Sequence, residues 1–480
     1  MKTLTYAAPA EAGIPAGALV KLLKKMNSRD TGAHSLMIAR RGKVVLSCRW
    51  KPYSLEDVHM LYSLSKSFTS TAVGFAVKEG KLRLSDKVVS FFPEKLPQRV
   101  SPRLRTMTVE NLLTMAAGHD PDPTRAVFGS EDWIGAFFAQ PLPTQPGTHF
   151  VYNTAATFML SAITQKVTGE KIIDYLRPRL FEPLGFNMEG IYWEESPEGI
   201  CQGGSGLHIH NEDILRFGIC LLQKGRFGGQ QVIPEEWVEL ATAKHIPNGD
   251  PATGSDWNQG YGYQFWRCVP REVYRGDGAY GQYCIVCPEQ EMVIAMNSGT
   301  DDLQTPMTLF WETLLPALDT ASDTEDADRA ELEAMLEQLQ RPTQPCAQHC
   351  PCPNRHPERG GFYRAEDNEL GVAGLELAFA NCDGTLTFHY GGKTYSFTCG
   401  PWRWRRGSLP GLYGRELTEV GVSAAWQDDG SFAVRAAVIG YPGELGFRLA
   451  FEGDTCLMHC STKRFRDNKE ITVRLRKEGT

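Results

Sequence analysis

Two β-rich apolar runs meet at Arg41-Gly42 in "SLMIARRGKVVLSCRW" (35–50), a pattern that predicts a hairpin. Further on, "SFTSTAVGFAVKEGK" places Phe68, Ala72, Val73, Phe75, Ala76 and Val77 on most sides of a helix, and Gly80 suits its C-terminal stop. A helix apolar on most sides is a buried one. Three more helical stretches follow: "TVENLLTMAAG" (108–118), "TAATFMLSAITQKVTG" (154–169) and "NEDILRFGICLLQKG" (211–225), the last with Asn211 as its N-cap. Then the pattern changes. "YGYQFWRCV", "EVYRG", "GQYCIVCP" and "EMVIAMNS" are successive β-rich runs broken by Gly, Pro and acidic turns, and "LQTPMTLFWETLLPAL" (303–318) closes the segment as a helix. Near the start, "ALVKLLKKM" reads as a short amphipathic helix. This order describes an antiparallel sheet built from both ends of the segment with helices inserted between them, not a repeating βαβ series.

From about 319 the composition shifts. "DTASDTEDADRAELEAMLEQLQ" is acidic and helical, and "RPTQPCAQHCPCPNRHPERGG" is Pro-rich, so a boundary is expected near 320 to 360. Beyond it, "LELAFANCDGTLTFHYGGKTYSFTCG" and "SAAWQDDGSFAVRAAV" show short strands joined by Asp-Gly turns, and "LGFRLAFEGDTCLMHCS" continues the pattern of short strands. The expected organisation is an α/β chain of the α+β kind over 1–318, an acidic helix and Pro/Cys-rich linker over 319–360, and an all-β module over 361–480. That last module shows no nucleophile–base pair, so docking or pocket shaping is expected of it.

With 480 residues the chain exceeds one ordinary core. Hydrophobic content of 42% and charged content of 22% describe a soluble globular protein. A net charge of −7 argues against nucleic acid as a partner, because phosphate binding needs a basic surface. No apolar run reaches the length of a membrane span, and "MKTLTYAAPAEAGIPAGALV" has no signal-type apolar region, so a cytoplasmic location away from membranes is expected. Thirteen cysteines at irregular spacing fit reduced thiols. Cys346, His349, Cys350 and Cys352 form one Cys/His cluster and Cys456, His459 and Cys460 another. Neither has clean zinc-knuckle spacing, and no metal or cofactor is expected.

"LYSLSKSFTS" (61–70) packs four serines around one lysine. On a helix, Ser63 and Lys66 share a face one turn apart. A lysine neutralised by burial can take the serine proton, and the N–H of Ser63 at a helix start can hold an oxyanion. Ser-x-x-Lys alone is weak, since about one chance occurrence is expected in such a chain. Its place at the head of a buried helix after a hairpin raises it. Each residue also has a plainer reading: Ser63 as a helix cap, Lys66 as a surface ion-pair partner, Tyr152 as a core aromatic. Ser65 and Ser67 read as structural, as do His208 and His210. "GDGAYG" (276–281) fits G-x-G-x-x-G, but a strand follows it where a dinucleotide site needs a helix, so it is rejected.

Taken together and in order, "SLSK", "TVENLLTMAAG", "HFVYNTAATFMLSAITQKVTG", "GGSGLHIHNEDILRFG" and "GDGAYGQYCIVCPEQEMVIAM" resemble the serine β-lactamase and penicillin-binding-protein superfamily. The match is to the branch of class C β-lactamases, related esterases, D-amino-acid peptidases and 6-aminohexanoate-dimer hydrolase, over about residues 10 to 318. The resemblance implies a β-lactamase-like fold and acyl transfer in two steps. Ser63 is then the nucleophile, and Lys66 and Tyr152 share the general-base role. The N–H groups of Ser63 and Ala279 form the oxyanion hole, and Asn153, Thr154, Asp277 and Gly278 contact substrate. Two positions depart from the family. Tyr152-Asn153-Thr154 has Thr where the family's Tyr-x-Asn has Asn, and Gly276-Asp277-Gly278 has neither the Lys nor the His of the third motif. The expected activity is that of a serine hydrolase on a small ester, amide or short peptide, with weak or no β-lactam hydrolysis. The alternatives are a non-catalytic binding protein of the same fold and an acyltransferase using the same acyl-enzyme.

Overall fold

The computed structural model describes residues 3–346, 357–465 and 467–479. The chain divides into two compact units. One comprises the residues up to Cys48 together with Val58–Glu337, and the other comprises Arg49–Asp57 and the residues from Gln338 onward.

In the first unit the main sheet takes strands from both ends of the segment. They are β1 (Thr5–Tyr6), β2 (Ala33–Arg40), β3 (Lys43–Arg49), β4 (Trp266–Arg267), β5 (Tyr274–Gly278), β6 (Gln282–Cys287) and β7 (Met292–Ser298), in the order β1-β3-β2-β7-β6-β5-β4. Only β1 pairs in parallel, with β3, and the hairpin turns at Arg41-Gly42 as expected. β2, β6 and β7 are buried along their whole length, consistent with apolar runs covered on both faces.

α1 (Ala16–Ser28) is amphipathic, and three further helices position the site: α2 is Ser65–Lys78, α3 is Thr154–Thr168 and α4 is Asn211–Leu222. Every residue of α2 from Ser65 to Ala76 is buried, and Phe68 stacks on Phe217 of α4 with ring centroids 4.2 Å apart. Three of its small polar residues bond the surrounding backbone. Ser65 Oγ accepts from Leu207 N–H, while Ser67 Oγ donates to Gln264 O and Thr69 Oγ1 to Gly203 O. α4 lies so close on the sheet that a Cβ at Gly218 would stand 2.5 Å from Val293 Cγ1. His210, not Asn211, occupies its N-cap position, and the His210 ring bonds Asp213 of the first turn at 3.2 Å. The terminal helical segment runs Gln304–Leu309 and then widens and tightens through Phe310–Leu314 and Leu315–Ala317.

The acidic helix forms as α5 (Glu325–Gln338) and packs with the first unit. Glu325 accepts the Ala16 N–H at the start of α1, Lys24 pairs with Glu331, and Leu332 is buried. The segment Arg49–Asp57 instead joins the second unit, where Lys51 and residues 339–341 exchange backbone hydrogen bonds of 3.1 and 2.7 Å. Neither allegiance has a signature in composition.

The second unit is a ten-stranded, wholly antiparallel sheet. It runs from Lys393–Cys399 at one edge to Arg405–Pro410 at the other. These edges approach closely, since a Cβ at Gly407 would stand 2.7 Å from Phe397 Cβ, so the sheet curls into a near-barrel filled by side chains such as Leu386, Phe397, Val422 and Leu449. In the hairpin of strands Val372–Ala380 and Asp383–Tyr390, Asn381-Cys382 makes the turn and Asp383-Gly384 already lies in a strand, against the Asp-Gly turn expected there. Cys382 is disulfide-bonded, a departure from the expectation of reduced thiols, and ten other cysteines among the described residues are free. His349, Cys350 and Cys352 lie outside the described residues. Within strand Thr455–Lys463, Cys456 and Cys460 are buried while His459 alternates to the exposed face, so the three do not converge. Burial pushes both thiols up to about 12. Among the described residues no helix is long and apolar enough to cross a membrane.

Candidate active site

Ser63 lies just past a left-handed kink. The chain leaves the short strand His59–Met60, takes φ of 49° at Tyr62, makes one tight turn over Tyr62–Leu64 and continues as α2. Ser63 therefore precedes the α-helix by two residues, and Lys66 sits in its first turn. Lys66 Nζ is 2.9 Å from Ser63 Oγ, 3.1 Å from Thr154 Oγ1 and 2.6 Å from Gly204 O. The lysine is 1% exposed, and burial pushes its ammonium down to about 7 against the opposing pull of Asp122 and Asp277. Three contacts suit the neutral amine. Gly204 O and Thr154 Oγ1 accept its two N–H groups, and the lone pair is left for the Ser63 hydroxyl.

Tyr152 lies two residues before α3. Its hydroxyl hydrogen-bonds with that of Ser63, its ring stacks on Trp266 at 5.2 Å, and Lys66 Nζ stands 5.0 Å from its ring centroid. Burial, helped by the nearby Asp277, raises the phenol far above its usual range, so it keeps its proton at neutral pH. The environment thus drives the two neighbours apart, one toward a free base and the other toward a retained acid.

The remaining expected residues divide. Thr154 touches Lys66, whereas Asn153 does not. Asn153 is the N-cap of α3, with Oδ1 accepting the Ala156 N–H at 2.9 Å and Nδ2 3.2 Å from His119 Nδ1. Asp277 is 6% exposed and pairs with Arg275 Nε at 2.7 Å, with the Trp266 indole as a second partner. The Arg275 guanidinium is fully buried, 4.3 Å from the centre of the Trp257 ring, and donates to Asp256 O and Cys268 Sγ. A cation is therefore present beside the third motif, supplied from one position before it. The motif's glycines admit close packing. A Cβ at Gly276 would stand 2.4 Å from Ser67 Oγ, and one at Gly278 would stand 2.1 Å from Leu61 O and 3.1 Å from Ser63 N. Ala279, the next residue, is exposed in the β5–β6 turn. Gln282 Nε2 holds its carbonyl at 3.1 Å, and Gln282 is in turn bonded by Asn297, which Ser35 and Asn211 also bond.

Gly204, Arg275, Gln282 and Asn297 were not expected from the sequence. A backbone acceptor has no letter of its own. The other three had a signal, being polar residues set inside β-rich apolar runs, where a buried polar group needs partners. His208 and His210 are buried and bonded to Tyr192 and Glu194, and to Asp213 and Asn187, respectively.

Residues 20–309, more than half of the chain, match the family model described as Beta-lactamase. The chain belongs to the beta-lactamase family. This is a family of serine hydrolases that includes esterases, amidases and β-lactamases. The 6-aminohexanoate-dimer hydrolase of Paenarthrobacter ureafaciens is 25% identical over 329 residues, covering 64% of this chain and 83% of that protein. The lovastatin esterase of Penicillium rubens is 28% identical over 174 residues, 31% of this chain and 43% of that protein. Among solved structures, the octameric penicillin-binding protein homologue from Pyrococcus abyssi aligns with a TM-score of 0.50 at 18% identity, covering 95% of this chain and 99% of that one. EstCE1, a hydrolase with promiscuous acyltransferase activity, aligns with a TM-score of 0.51 at 18% identity, covering 64% and 99%. The fold is a mixed α/β β-lactamase-like domain followed by a C-terminal antiparallel near-barrel.

Proposed function

We propose that this protein is a serine hydrolase that acts through an acyl-enzyme on a small ester, amide or short peptide. The observation that carries the reading is the 2.9 Å contact between Ser63 Oγ and a buried Lys66 whose pKa is brought to about 7. In the first step Lys66 Nζ takes the Ser63 proton as Oγ bonds to the substrate carbonyl carbon. The carbonyl oxygen gathers negative charge between the N–H groups of Ser63 and Ala279. When the tetrahedral species collapses, the bond to the leaving alcohol or amine breaks and Tyr152 passes it the proton, which Lys66 replenishes. Water then attacks the acyl-enzyme by the reverse relay, freeing the acid and Ser63. The names of the hydrolase and esterase relatives support a small ester or amide as substrate. Weak or absent β-lactam turnover is part of the reading, since Arg275 is buried and committed to Asp277.

The test is intact-mass analysis after a serine-directed fluorophosphonate, on wild type, Ser63→Ala and Lys66→Ala. Short-chain p-nitrophenyl esters and a chromogenic cephalosporin are assayed alongside. An adduct with ester turnover, both lost in the two variants, is expected. A folded wild type that takes no adduct would leave a non-catalytic binding protein.

A further inference from the structure

Tyr62 and Tyr280 both sit in the left-handed backbone region, with φ of 49° and 63°, where a bulky side chain is strained. Each is the immediate neighbour of one backbone donor assigned to the oxyanion. Tyr62 precedes Ser63 and Tyr280 follows Ala279. Their rings meet edge to face, with centroids 5.3 Å apart and planes at 73°. Glycine would relieve the strain at either place but would remove the side chain that makes this contact. The Tyr280 side is anchored to its own sheet. Tyr280 O accepts from Ser298 Oγ at 2.7 Å and from Thr300 N–H at 3.1 Å, and Gly281 N–H closes the turn onto Gly278 O at 3.1 Å. The Tyr62 side belongs to the segment leading into α2, a different element.

We infer that the two rings are an aromatic staple that sets the separation and aim of the Ser63 and Ala279 N–H groups. They are positioning residues, and the inference rests on the acyl-enzyme reading above. A donor held in place by a partner on another element loses its aim when that partner is cut back, and small misplacements at the reacting centre are expensive in rate.

The experiment compares Tyr62→Gly, Tyr280→Gly, the double variant, and Tyr62→Phe and Tyr280→Phe. It measures kcat and KM on a short-chain p-nitrophenyl ester, melting temperature, and fluorophosphonate labelling of the wild type in the same preparation. Each glycine variant is expected to melt near the wild type and to lose about tenfold or more in kcat with little change in KM. The double variant should lose little beyond the worse single, because the pair acts as a unit. Phenylalanine at either site should keep most of kcat. A raised KM with kcat intact would make the rings a substrate surface and overturn the staple, as would losses that multiply in the double variant. Unchanged kinetics would overturn it too. A wild type that labels and turns over while the variants break the pattern removes the staple alone, whereas a wild type that does neither removes the acyl-enzyme reading and the staple with it.

Discussion

Gly278 and Ser63 pack backbone against backbone: a Cβ at Gly278 would stand 3.1 Å from Ser63 N and 2.1 Å from Leu61 O. Leu61 O is main chain, so it has no rotamer by which to escape. Gly278→Ala must therefore push β5 away from the turn that carries Ser63 and move Ala279 with it. Ester kcat/KM is expected to fall by about 100-fold or more, the scale of losing or misaiming one oxyanion donor. Overpacking should cost about 1–3 kcal/mol of stability. Steady-state kinetics and a urea titration check both, and a variant with wild-type turnover would show that β5 does not set the donor geometry.

A second prediction concerns pH. In the proposed first step the Ser63 proton goes to a lone pair that Lys66 has only when neutral, and its ammonium is held down to about 7. On the acid side, kcat/KM is thus expected to rise with pH through about 7. Stability follows the same direction. Between about 7 and the ordinary lysine value of 10.5 the unfolded chain holds the proton and the folded one does not, so this group makes stability increase with pH across that window. Lys66→Met should lack that slope, measured as urea midpoints at pH 7 and 9. Buried His59 and His119, both lowered to about 4, act alike between about 4 and 6.5, where stability is expected to fall as pH falls.

Thr154 offers a narrower test. Its Oγ1 is 3.1 Å from Lys66 Nζ, and the ammonium form gains from that acceptor. Thr154→Val removes it at nearly constant volume, so the charged form loses a partner and the acid limb of kcat/KM should move to lower pH. Thr154→Ser should keep the limb in place. A limb that does not move in the valine variant would mean that Thr154 positions substrate and leaves Lys66 untouched. Loss of one neutral hydrogen bond should cost about 0.5–1.5 kcal/mol of stability.

Much of this architecture was legible in the order of letters. The hairpin at Arg41-Gly42, the buried α2 and the strand run from Tyr274 to Ser298 follow from local periodicity, and local periodicity is a property of short stretches. Ser63, Lys66 and Tyr152 were visible because each is a side chain at a helix head. The segment Arg49–Asp57 was not, because its pairing with residues 339–341 is a contact between distant stretches that leaves no periodic trace. The same holds for α5, whose acidic face reads as solvated until Glu325 is found on the first turn of α1. Gly204 was hidden because its contribution is a carbonyl. Asn153 reads by its motif as a site residue, yet the N-cap demand of α3 takes its side chain, and Thr154 reaches the lysine instead.

The pairing of Arg275 with Asp277 carries the last prediction. Both side chains are buried, and they meet at 2.7 Å next to the Trp266 on which Tyr152 stacks. Arg275→Met leaves a buried carboxylate without its cation, a change that costs about 3–5 kcal/mol when a buried pair is broken from one side. Asp277 is already raised by burial, and without Arg275 it rises further, so the folded variant binds a proton more readily than the unfolded one. The contribution of Asp277 to the variant's stability is then greatest at low pH and declines as pH climbs, so the penalty against wild type is larger at pH 8 than at pH 5. The double variant Arg275→Met/Asp277→Asn should recover a substantial part of the loss, because no charge is left stranded. Urea midpoints for wild type, Arg275→Met, Asp277→Asn and the double variant at both pH values decide it. A pH-independent penalty, or a double variant as weak as the sum of the singles, would mean that the ion pair is not what holds this corner of the site together.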